Sequence, residues 1–488
     1  MGEACLEILE SCYKSHHRCE QHTLPCLPSR VIDVGAGDSA IEPKLHISKK
    51  YERAKYACLS YCWGGPQQCC TTKATLENNI EGLEFENLAR TLQDAIKVTR
   101  MLKLRYLWVD ALCIVQDDAA DKELQLQYMG INYKYATVTI AAASGDNVHD
   151  GFLGNWSTDD EPVILPNLMP LDNEAREVKV VRSNFYDSSG WPLNNRAWAL
   201  QEYLLSPRLL IFGTGGPVWQ CQTQHLKPLF PTNKLFMTNL RRLPDEVFST
   251  TQAALLTPNR EEQHSSWKFF VENYSSRKIT YPSDRPYAIA GIISELSRVW
   301  IDQCNYGVWR SNLVDQLCWV TWNPRPQSTF NAVLGVPSWS WIRVNSTIMY
   351  TDANIRQLSE KTDVARCVAF PSSDSPNLVL AVPLLPTNEM SRQMKSPLFA
   401  SPISVGRDID TWLERKSPQI SYIKVGYLAV FLDFEIDETW DEFAYAALEY
   451  YGYESMLVAP SFFKVITKHV LYSILHWPSL APTGDWSL

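Results

Sequence analysis

The segment from Leu104 to Gly145 constrains the fold of this chain more than any other, because strand and helix patterns alternate in it without interruption. Residues 105–109 form an apolar and aromatic run typical of a strand, and Asp110 follows it directly. Residues 119–135 carry apolar residues at helical spacing, and residues 136–143 form a second strand-like run. This order predicts a crossover between parallel strands, with Asp110 at the carboxyl end of the first.

Neighbouring segments continue the alternation. Residues 56–61 predict another strand, and residues 88–102 predict a helix with apolar or small residues every three or four positions. Residues 192–213 predict a short helix and a strand that returns to the sheet. The predicted fold class is therefore α/β, a mostly parallel sheet flanked by helices, over residues 50–225.

The rest of the chain predicts smaller parts. A helical lead and an extended segment occupy residues 1–49, and a helical module occupies residues 226–345. Residues 346–488 consist of short alternating runs, which predict a small antiparallel sheet and an irregular tail. Helices within the module are expected at Glu261–Tyr274, Tyr287–Val299 and Val308–Trp319.

Composition narrows the classes of partner. The net charge is -9, with 45 Lys and Arg against 54 Asp and Glu and no long run of one sign, so we expect no nucleic-acid partner. The N-terminus lacks the pattern of a secretory leader, and no apolar run is long enough to span a membrane. We therefore expect a soluble cytoplasmic protein with reduced thiols and no membrane partner.

The N-terminal cysteines follow a seven-residue repeat. Cys5, Cys12, Cys19 and Cys26 recur at this spacing, and Cys12, His16 and Cys19 form a C-x3-H-x2-C group. Such a group can in principle hold zinc, but its spacing resembles no standard zinc site. Cysteines at this interval also pack on one face of a helix, and this is the interpretation we favour, so we expect no metal.

Two groups of polar residues are candidates for a binding site. Asp110, Gln116 and Asp117 follow the first strand of the opening segment, where side chains can face a crevice. Helix capping by Asp117 or Asp118 is the structural alternative. Trp63 could stack on a ligand, and Gly64 beside it would let the backbone approach closely.

The second group follows residue 195. Arg196, Trp198, Gln201 and Glu202 lie in a segment that otherwise reads as core, so a buried Arg–Glu pair without catalysis is the structural alternative. The sequence has no G-x-G-x-x-G fingerprint of dinucleotide-binding folds, no phosphate loop, no H-E-x-x-H of zinc proteases and no G-x-S-x-G nucleophile elbow. We therefore expect no cofactor.

Three blocks of the sequence resemble the fungal heterokaryon incompatibility (HET) domain. They are Y-x-x-L-S-Y-x-W-G at Tyr56–Gly64, D-x-x-C-I-x-Q-D at Asp110–Asp117, and R-x-W-x-x-Q-E at Arg196–Glu202. The resemblance extends over about residues 25–345 and implies a protein of self/non-self recognition and regulated cell death, with a domain remotely similar to TIR domains. Some TIR domains cleave NAD, which implies Glu202 as the residue that stabilises a ribosyl cation, with Asp110 as a further catalytic candidate and Arg196 as a phosphate ligand. Tyr203 and Gln220 depart from the family, which often has a basic residue and Glu there.

Two other functions remain open. The loss of charge at Tyr203 and Gln220, together with 17 Trp, favours an enzyme of secondary metabolism that cyclises an apolar terpenoid or polyketide intermediate, in a pericyclic, Diels–Alder type of reaction. Many of these Trp residues, such as Trp309 and Trp341, are equally expected in packed cores. The third hypothesis is a binding module without catalysis. The expected partners are a small-molecule ligand and either a signalling protein or a second copy of the chain.

Overall fold

The computed structural model describes residues 1–350 apart from gaps at 20–22, 36–40, 68, 155–162, 166–177, 181–184, 188–189, 231–234, 238–240, 249–258, 318, 322–332, 334 and 338–339, and beyond residue 350 it describes only the backbone of strands. The chain divides into two compact units. Unit 1 comprises Met1–Leu256 with Tyr287–Glu295, and unit 2 comprises Thr257–Pro286 with Leu296–Leu488. The boundaries predicted for the four sequence segments remain predictions.

Unit 1 alternates helices and strands. Its described helices are α1 Gly2–Ser15, α2 Leu76–Glu81, α3 Arg90–Met101, α4 Asp110–Cys113, α5 Ala119–Tyr135 and α6 Ala197–Leu205. Its described strands are β1 Arg30–Asp33, β2 Lys44–Ile47, β3 Tyr56–Ser60, β4 Tyr106–Trp108, β5 Val138–Ala142, β6 Val163–Leu165, β7 Val178–Val180, β8 Phe185–Asp187, β9 Arg208–Gly213, β10 Gly216–Cys221, β11 Lys227–Pro228 and β12 Leu235–Met237.

The main sheet of unit 1 has the strand order β11-β10-β9-β5-β3-β4-β1-β2. Its centre is parallel, because β3 pairs in parallel with both β4 and β5, and β5 with β9. The outer strands β1, β2, β10 and β11 pair antiparallel. The α/β class and its parallel sheet are confirmed, and the antiparallel edges add to what the sequence predicted.

The chain reverses its direction of travel across the sheet at β3. It passes from β3 to β4 on one side and then returns to place β5 on the other side of β3. In open α/β sheets such a reversal opens a crevice at the carboxyl ends of the two strands, where ligands bind. The topology therefore marks the carboxyl ends of β3 and β5 as the place to look for a site.

Burial explains why these segments form the centre of the sheet. Every residue of β3 and β5 is buried, as expected for parallel strands covered on both faces. Trp108 in β4 packs edge-on against Tyr133 in α5, with ring centroids 5.6 Å apart. Helix α3 turns Leu92, Ala95 and other apolar residues to the core.

Unit 2 begins with a helix and continues with short strands and helices. Its helices are α7 Arg260–Ser275 and α9 Leu313–Gln316, and α8 Arg285–Trp300 contributes its two ends to this unit and its middle to unit 1. Its short strands are β13 Cys304–Asn305, β14 Val308–Trp309, β15 Trp319–Thr321 and β16 Ile348–Tyr350. The helix predicted over Val308–Trp319 is therefore wrong, since only Leu313–Gln316 within it is α-helical.

Trp267, Trp309 and Trp341 pack in the core of unit 2. The rings of Trp267 and Trp309 meet edge to face at 5.4 Å, and Trp267 and Trp341 both donate to the carbonyl of Gly307, over 3.1 and 2.8 Å. Trp309 and Trp341 are therefore core residues, which was the alternative to a role in ligand binding. Trp322 and Trp339 lie outside the described residues.

The strands beyond residue 350 form a second sheet, which is antiparallel throughout. It runs in the order β17-β18-β24-β23-β22-β21-β20-β19. The sequence predicted a small antiparallel sheet in this region, and the sheet has eight strands. These strands are β17 Arg366–Ala369, β18 Leu378–Ala381, β19 Leu384–Pro386, β20 Ser421–Val425, β21 Leu428–Asp433, β22 Phe443–Glu449, β23 Ser461–Ile466 and β24 Leu471–Ile474.

The sequence predicted that the N-terminal cysteines share one helical face and that the chain does not span a membrane. Cys5 and Cys12 are buried on α1, but the helix ends at Ser15, so Cys19 lies in a following 3-10 turn and Cys26 is exposed. The seven-residue repeat is therefore not one helical face. None of the described helices combines the length and the apolar character needed to cross a bilayer.

Candidate functional site

A cavity of about 470 Å³ opens at the carboxyl ends of β3 and β5. It is lined by the loop after β3, which includes Trp63, Gly64 and Gln67, and by the loop after β5, which includes Asp146 and Asn147. The two loops are tied together, since the N–H of Val148 donates to the carbonyl of Trp63 over 3.3 Å. The cavity therefore lies at the point where the strand order reverses.

Trp63 links this cavity to Asp110. Its indole Nε1 donates a hydrogen bond of 2.9 Å to Oδ2 of Asp110, and the N–H of Ala111 donates to Oδ1 of the same carboxylate over 2.7 Å. Asp110 begins α4, with only Val109 between it and β4, so the end of the strand and the start of the helix fix its position. The two motifs that supply Trp63 and Asp110 thus meet in space.

The third motif joins them through Arg196 and Glu202. Arg196 precedes α6 and donates from Nη1 to the carbonyl of Tyr61. Glu202, six residues further on in α6, accepts a hydrogen bond from the hydroxyl of Ser60 through Oε2. The last residue of β3 and the residue after it therefore contact both ends of the Arg196–Glu202 segment, although they lie far from it in sequence.

The three charged side chains act on one another electrostatically. Burial raises the pKa of Glu202 to about 7, against the opposing effects of Arg196 and of the Ser60 hydrogen bond. Burial also raises the pKa of Asp110, and Arg196 counteracts part of that rise. Burial alone would lower the pKa of Arg196, but Glu202 and Asp110 together outweigh it and hold the pKa above its ordinary value.

Exposure distinguishes the three members of this charge cluster, Asp110, Arg196 and Glu202. Glu202 is only 3% exposed, whereas Asp110 and Arg196 keep part of their surface open although protein atoms crowd around their charged ends. None of the three lines the 470 Å³ cavity directly. Trp63, which does line it, is the side chain that stands between the cavity and Asp110.

The other predicted site residues divide into two groups. Gly64 lies on the cavity wall with a φ of 73°, and a Cβ there would come within 2.1 Å of the Cβ of Asn147. Gln116 folds back to the carbonyl of Asp110 over 3.0 Å, so it supports that residue from behind. The structure places these two beside the charge cluster or its cavity.

The remaining three have structural contacts elsewhere. Asp117 accepts from the N–H of Lys73 over 2.8 Å, while Asp118 is the residue that caps α5, through the N–H groups of Ala120 and Asp121. Gln201 is buried and accepts from the N–H of Gly291 in α8 over 2.7 Å. Trp198 packs against the main core.

Sequence reasoning missed the residues that surround Glu202. Ser60 donates to its carboxylate, and Tyr133 favours the charged form and so lowers its pKa. Ser60 and Tyr61 belong to the first motif, Y-x-x-L-S-Y-x-W-G, so the sequence did mark them as residues of interest. A serine at the end of a strand, however, gives no indication that it binds a carboxylate 142 positions away. Nothing in the sequence indicated that Asn147 lines the cavity.

Two further features of unit 1 lie at the opposite edge of the sheet, near the start of β9. One is a cavity of about 710 Å³ with a largely apolar lining, including Leu124, Tyr128, Ile131 and Phe248. The other is a cluster of possible metal ligands, Cys12, His16, Cys19 and Cys221. Cys221 is the member that the sequence did not connect with the first three.

The comparison with protein families identifies the segment that carries the charge cluster. Residues 56–202 match the family described as heterokaryon incompatibility protein (HET). The match begins at the first residue of the first motif and ends at Glu202, the last residue of the third, which confirms the resemblance seen in the sequence. Searches of curated proteins and of solved structures gave no significant match.

Proposed function

We propose that this chain, through its HET segment at residues 56–202, acts in fungal self/non-self recognition and the cell death that follows it, by binding and cleaving an NAD-type dinucleotide. The observation that carries the proposal is the 470 Å³ cavity at the reversal of strand order, with a charged cluster immediately behind its wall. The family match and this geometry support the same segment.

The reaction needs few groups from the protein. Cleavage of the bond between nicotinamide and ribose leaves a ribosyl cation, which water captures to give ADP-ribose, nicotinamide and a proton. A carboxylate stabilises the cation, and a guanidinium holds the diphosphate, preferably in two-point contact. Asp110 or Glu202 supplies the first group in this proposal, and Arg196 the second.

Glu202 is the first candidate for the carboxylate. With a pKa of about 7 it exists in both protonation states near neutral pH, which suits a group that accepts a proton from the attacking water. Asp110 is the second candidate, because it is partly exposed and binds the tryptophan of the cavity wall. In either case Trp63 must turn aside to admit the ribose, and its ring then becomes available for stacking on nicotinamide or adenine.

The test is release of nicotinamide from NAD by the purified full-length chain. We expect turnover by the wild type, a loss of about two orders of magnitude or more in Glu202→Gln or Asp110→Asn, and little change in the control Asp118→Asn. If one of these two variants retains activity, the carboxylate replaced in it is not the cation-stabilising residue. Absence of turnover at every protein concentration, including those that favour self-association, would contradict the enzymatic part and leave a cytoplasmic interaction protein.

The larger cavity favours a second candidate function. Its apolar lining suits a terpenoid or polyketide intermediate, which it would hold in one reactive conformation for a pericyclic cyclisation. If this second function is correct, native mass spectrometry of the protein purified from its own host would detect a bound apolar metabolite. Tyr128→Glu should abolish that binding. A terpene cyclase or polyketide synthase encoded next to this gene would favour it, and conversion of no pathway intermediate would count against it.

A further inference from the structure

Four potential metal ligands converge at the amino edge of the parallel strands in unit 1. The Sγ atoms of Cys12, Cys19 and Cys221 and a ring nitrogen of His16 all lie within 4.8 Å of one another. Nδ1 of His16 and Sγ of Cys221 are 3.3 Å apart. Tetrahedral zinc, with bonds of about 2.3 Å to sulfur and 2.0 Å to nitrogen, places its ligand atoms about 3.5–3.8 Å from each other. The cluster is therefore close to the size that the ion requires.

We propose that Cys12, His16, Cys19 and Cys221 bind one zinc ion. Three thiolates and one imidazole are a donor set that zinc uses in closed, structural sites, and a fourth protein ligand leaves no position for a reacting water. The site is thus a structural one, independent of the charge cluster behind the 470 Å³ cavity.

Local structure explains how a spacing unlike standard zinc motifs can form the site. Cys12 and His16 lie one turn apart at the end of α1, and the N–H of His16 donates to the carbonyl of Cys12 over 3.2 Å. The following 3-10 turn brings Cys19 back, with its N–H on the carbonyl of His16 at 2.8 Å. The fourth ligand comes from the end of β10, so only the folded sheet completes the set.

Contacts around the sulfur atoms resemble those that support metal thiolates. The N–H of Gln224 donates to Sγ of Cys221 over 3.4 Å, and the hydroxyl of Thr223 lies 3.8 Å from Sγ of Cys19. Donors of this kind stabilise the negative charge of coordinating sulfur. Cys12, Cys19 and Cys221 are buried while His16 is half-buried, which leaves one side for the ion to enter.

Arg208 provides an independent reason to expect net negative charge here. It pairs directly with Cys221 across the β9–β10 ladder, is completely buried, and donates to the carbonyl of Cys19 from Nη2. Among the described residues no carboxylate forms an ion pair with it, and its Nε has no hydrogen-bond partner. A buried cation requires a countercharge. Zinc with three thiolates and a neutral imidazole carries one net negative charge, which supplies it.

The experiment is metal analysis of the full-length chain purified under reducing conditions without chelators. We expect about one zinc per chain in the wild type and in Cys26→Ser, which removes the exposed cysteine of the same seven-residue series. Cys221→Ser should lower the zinc content at least about tenfold. Replacement of zinc by Co²⁺ should give thiolate-to-metal charge-transfer absorption and the visible bands of a tetrahedral site.

The cobalt spectrum keeps the proposal testable if Cys221→Ser fails to fold, because it is recorded on the wild type. Wild-type protein that takes up neither zinc nor cobalt after reduction overturns the proposal. So does a Cys221→Ser variant that retains the wild-type zinc content. A disulfide between Cys221 and Cys12 or Cys19, found by peptide mapping of protein purified from the reducing cytosol, overturns it as well.

Discussion

The indole N–H of Trp63 donates a 2.9 Å hydrogen bond to Oδ2 of Asp110, and this contact joins the wall of the 470 Å³ cavity to the charge cluster behind it. It also connects the loop after β3 with the start of α4, two segments that reach the same edge of the sheet from neighbouring parallel strands. A ligand that displaces Trp63 would thereby change the environment of Asp110.

The energy of that contact can be measured by a double-mutant cycle. Trp63→Phe removes the donor and keeps a ring, and Asp110→Asn removes the charge of the acceptor. We expect the two substitutions to be coupled by about 2 kcal/mol in the free energy of unfolding, as is usual for a hydrogen bond to a charged group. Trp198→Phe combined with Asp110→Asn is the control, and additivity of the first pair to within its error would show that the bond contributes nothing.

Gly64→Ala should damage the cavity wall. The residue has a φ of 73°, and the added Cβ would meet the Cβ of Asn147 at 2.1 Å, so the loops after β3 and β5 must separate. We expect a loss of about 1–3 kcal/mol in the free energy of unfolding. Gly82→Ala, at a φ of -179° with open space around it, should change stability by less than about 0.5 kcal/mol. Equal losses in the two variants would mean that Gly64 is not held as described.

The pKa of Glu202 predicts how stability depends on pH. Its folded-state value of about 7 lies above the ordinary 4.5, so the folded protein binds this proton more tightly than the unfolded chain does. The resulting stabilisation is complete below about pH 4.5 and is lost as the pH rises to about 7, a difference of about 3 kcal/mol. Glu202→Gln should flatten this part of the profile in chemical unfolding. A wild-type profile that rises over the same interval would contradict the assignment.

Ser60 should tune that pKa. Its hydroxyl donates to the carboxylate of Glu202 and so favours the charged form. Ser60→Ala should therefore move the titration of the Glu202 carboxyl band, followed by infrared difference spectroscopy, to a higher pH. The matched control is Ser206→Ala, because the hydroxyl of Ser206 donates a hydrogen bond of 2.5 Å to the backbone carbonyl of Glu202 and not to its carboxylate. An unchanged midpoint in Ser60→Ala would indicate that the serine bonds elsewhere.

The sequence predicted the central strands because each is a continuous buried run. β3, β5 and β9 bury every residue, so their apolar and β-branched composition carries the signal without help from distant parts of the chain. The helix expected at Val308–Trp319 failed for a local reason. Tyr306 and Gly307 both adopt positive φ, of 50° and 79°, and form the turn between β13 and β14, and short apolar runs around such a turn resemble a helix in spacing.

The candidate site was only partly predictable for a different reason. Asp110, Arg196 and Glu202 stand in separate motifs. The place of Asp110 at the carboxyl edge of the sheet could be expected because it follows a strand, whereas Arg196 and Glu202 belong to the start and interior of α6. The bond from Ser60 to Glu202 and the approach of Cys221 to Cys12, His16 and Cys19 depend on how distant strands pair. Residue spacing alone contains no information about such pairings, so these contacts emerge only with the sheet.

The central claim is that the cavity at the carboxyl ends of β3 and β5 is the ligand site, and hydrogen–deuterium exchange with and without ADP-ribose tests it most directly. We expect ADP-ribose to slow exchange in peptides that contain residues 61–67 and 145–150, and to leave the α5 peptide 124–135 unchanged. The protection should disappear in Arg196→Ala, with Arg53→Ala as the control. Protection confined to residues 124–135, or none at saturating ADP-ribose, would contradict the claim.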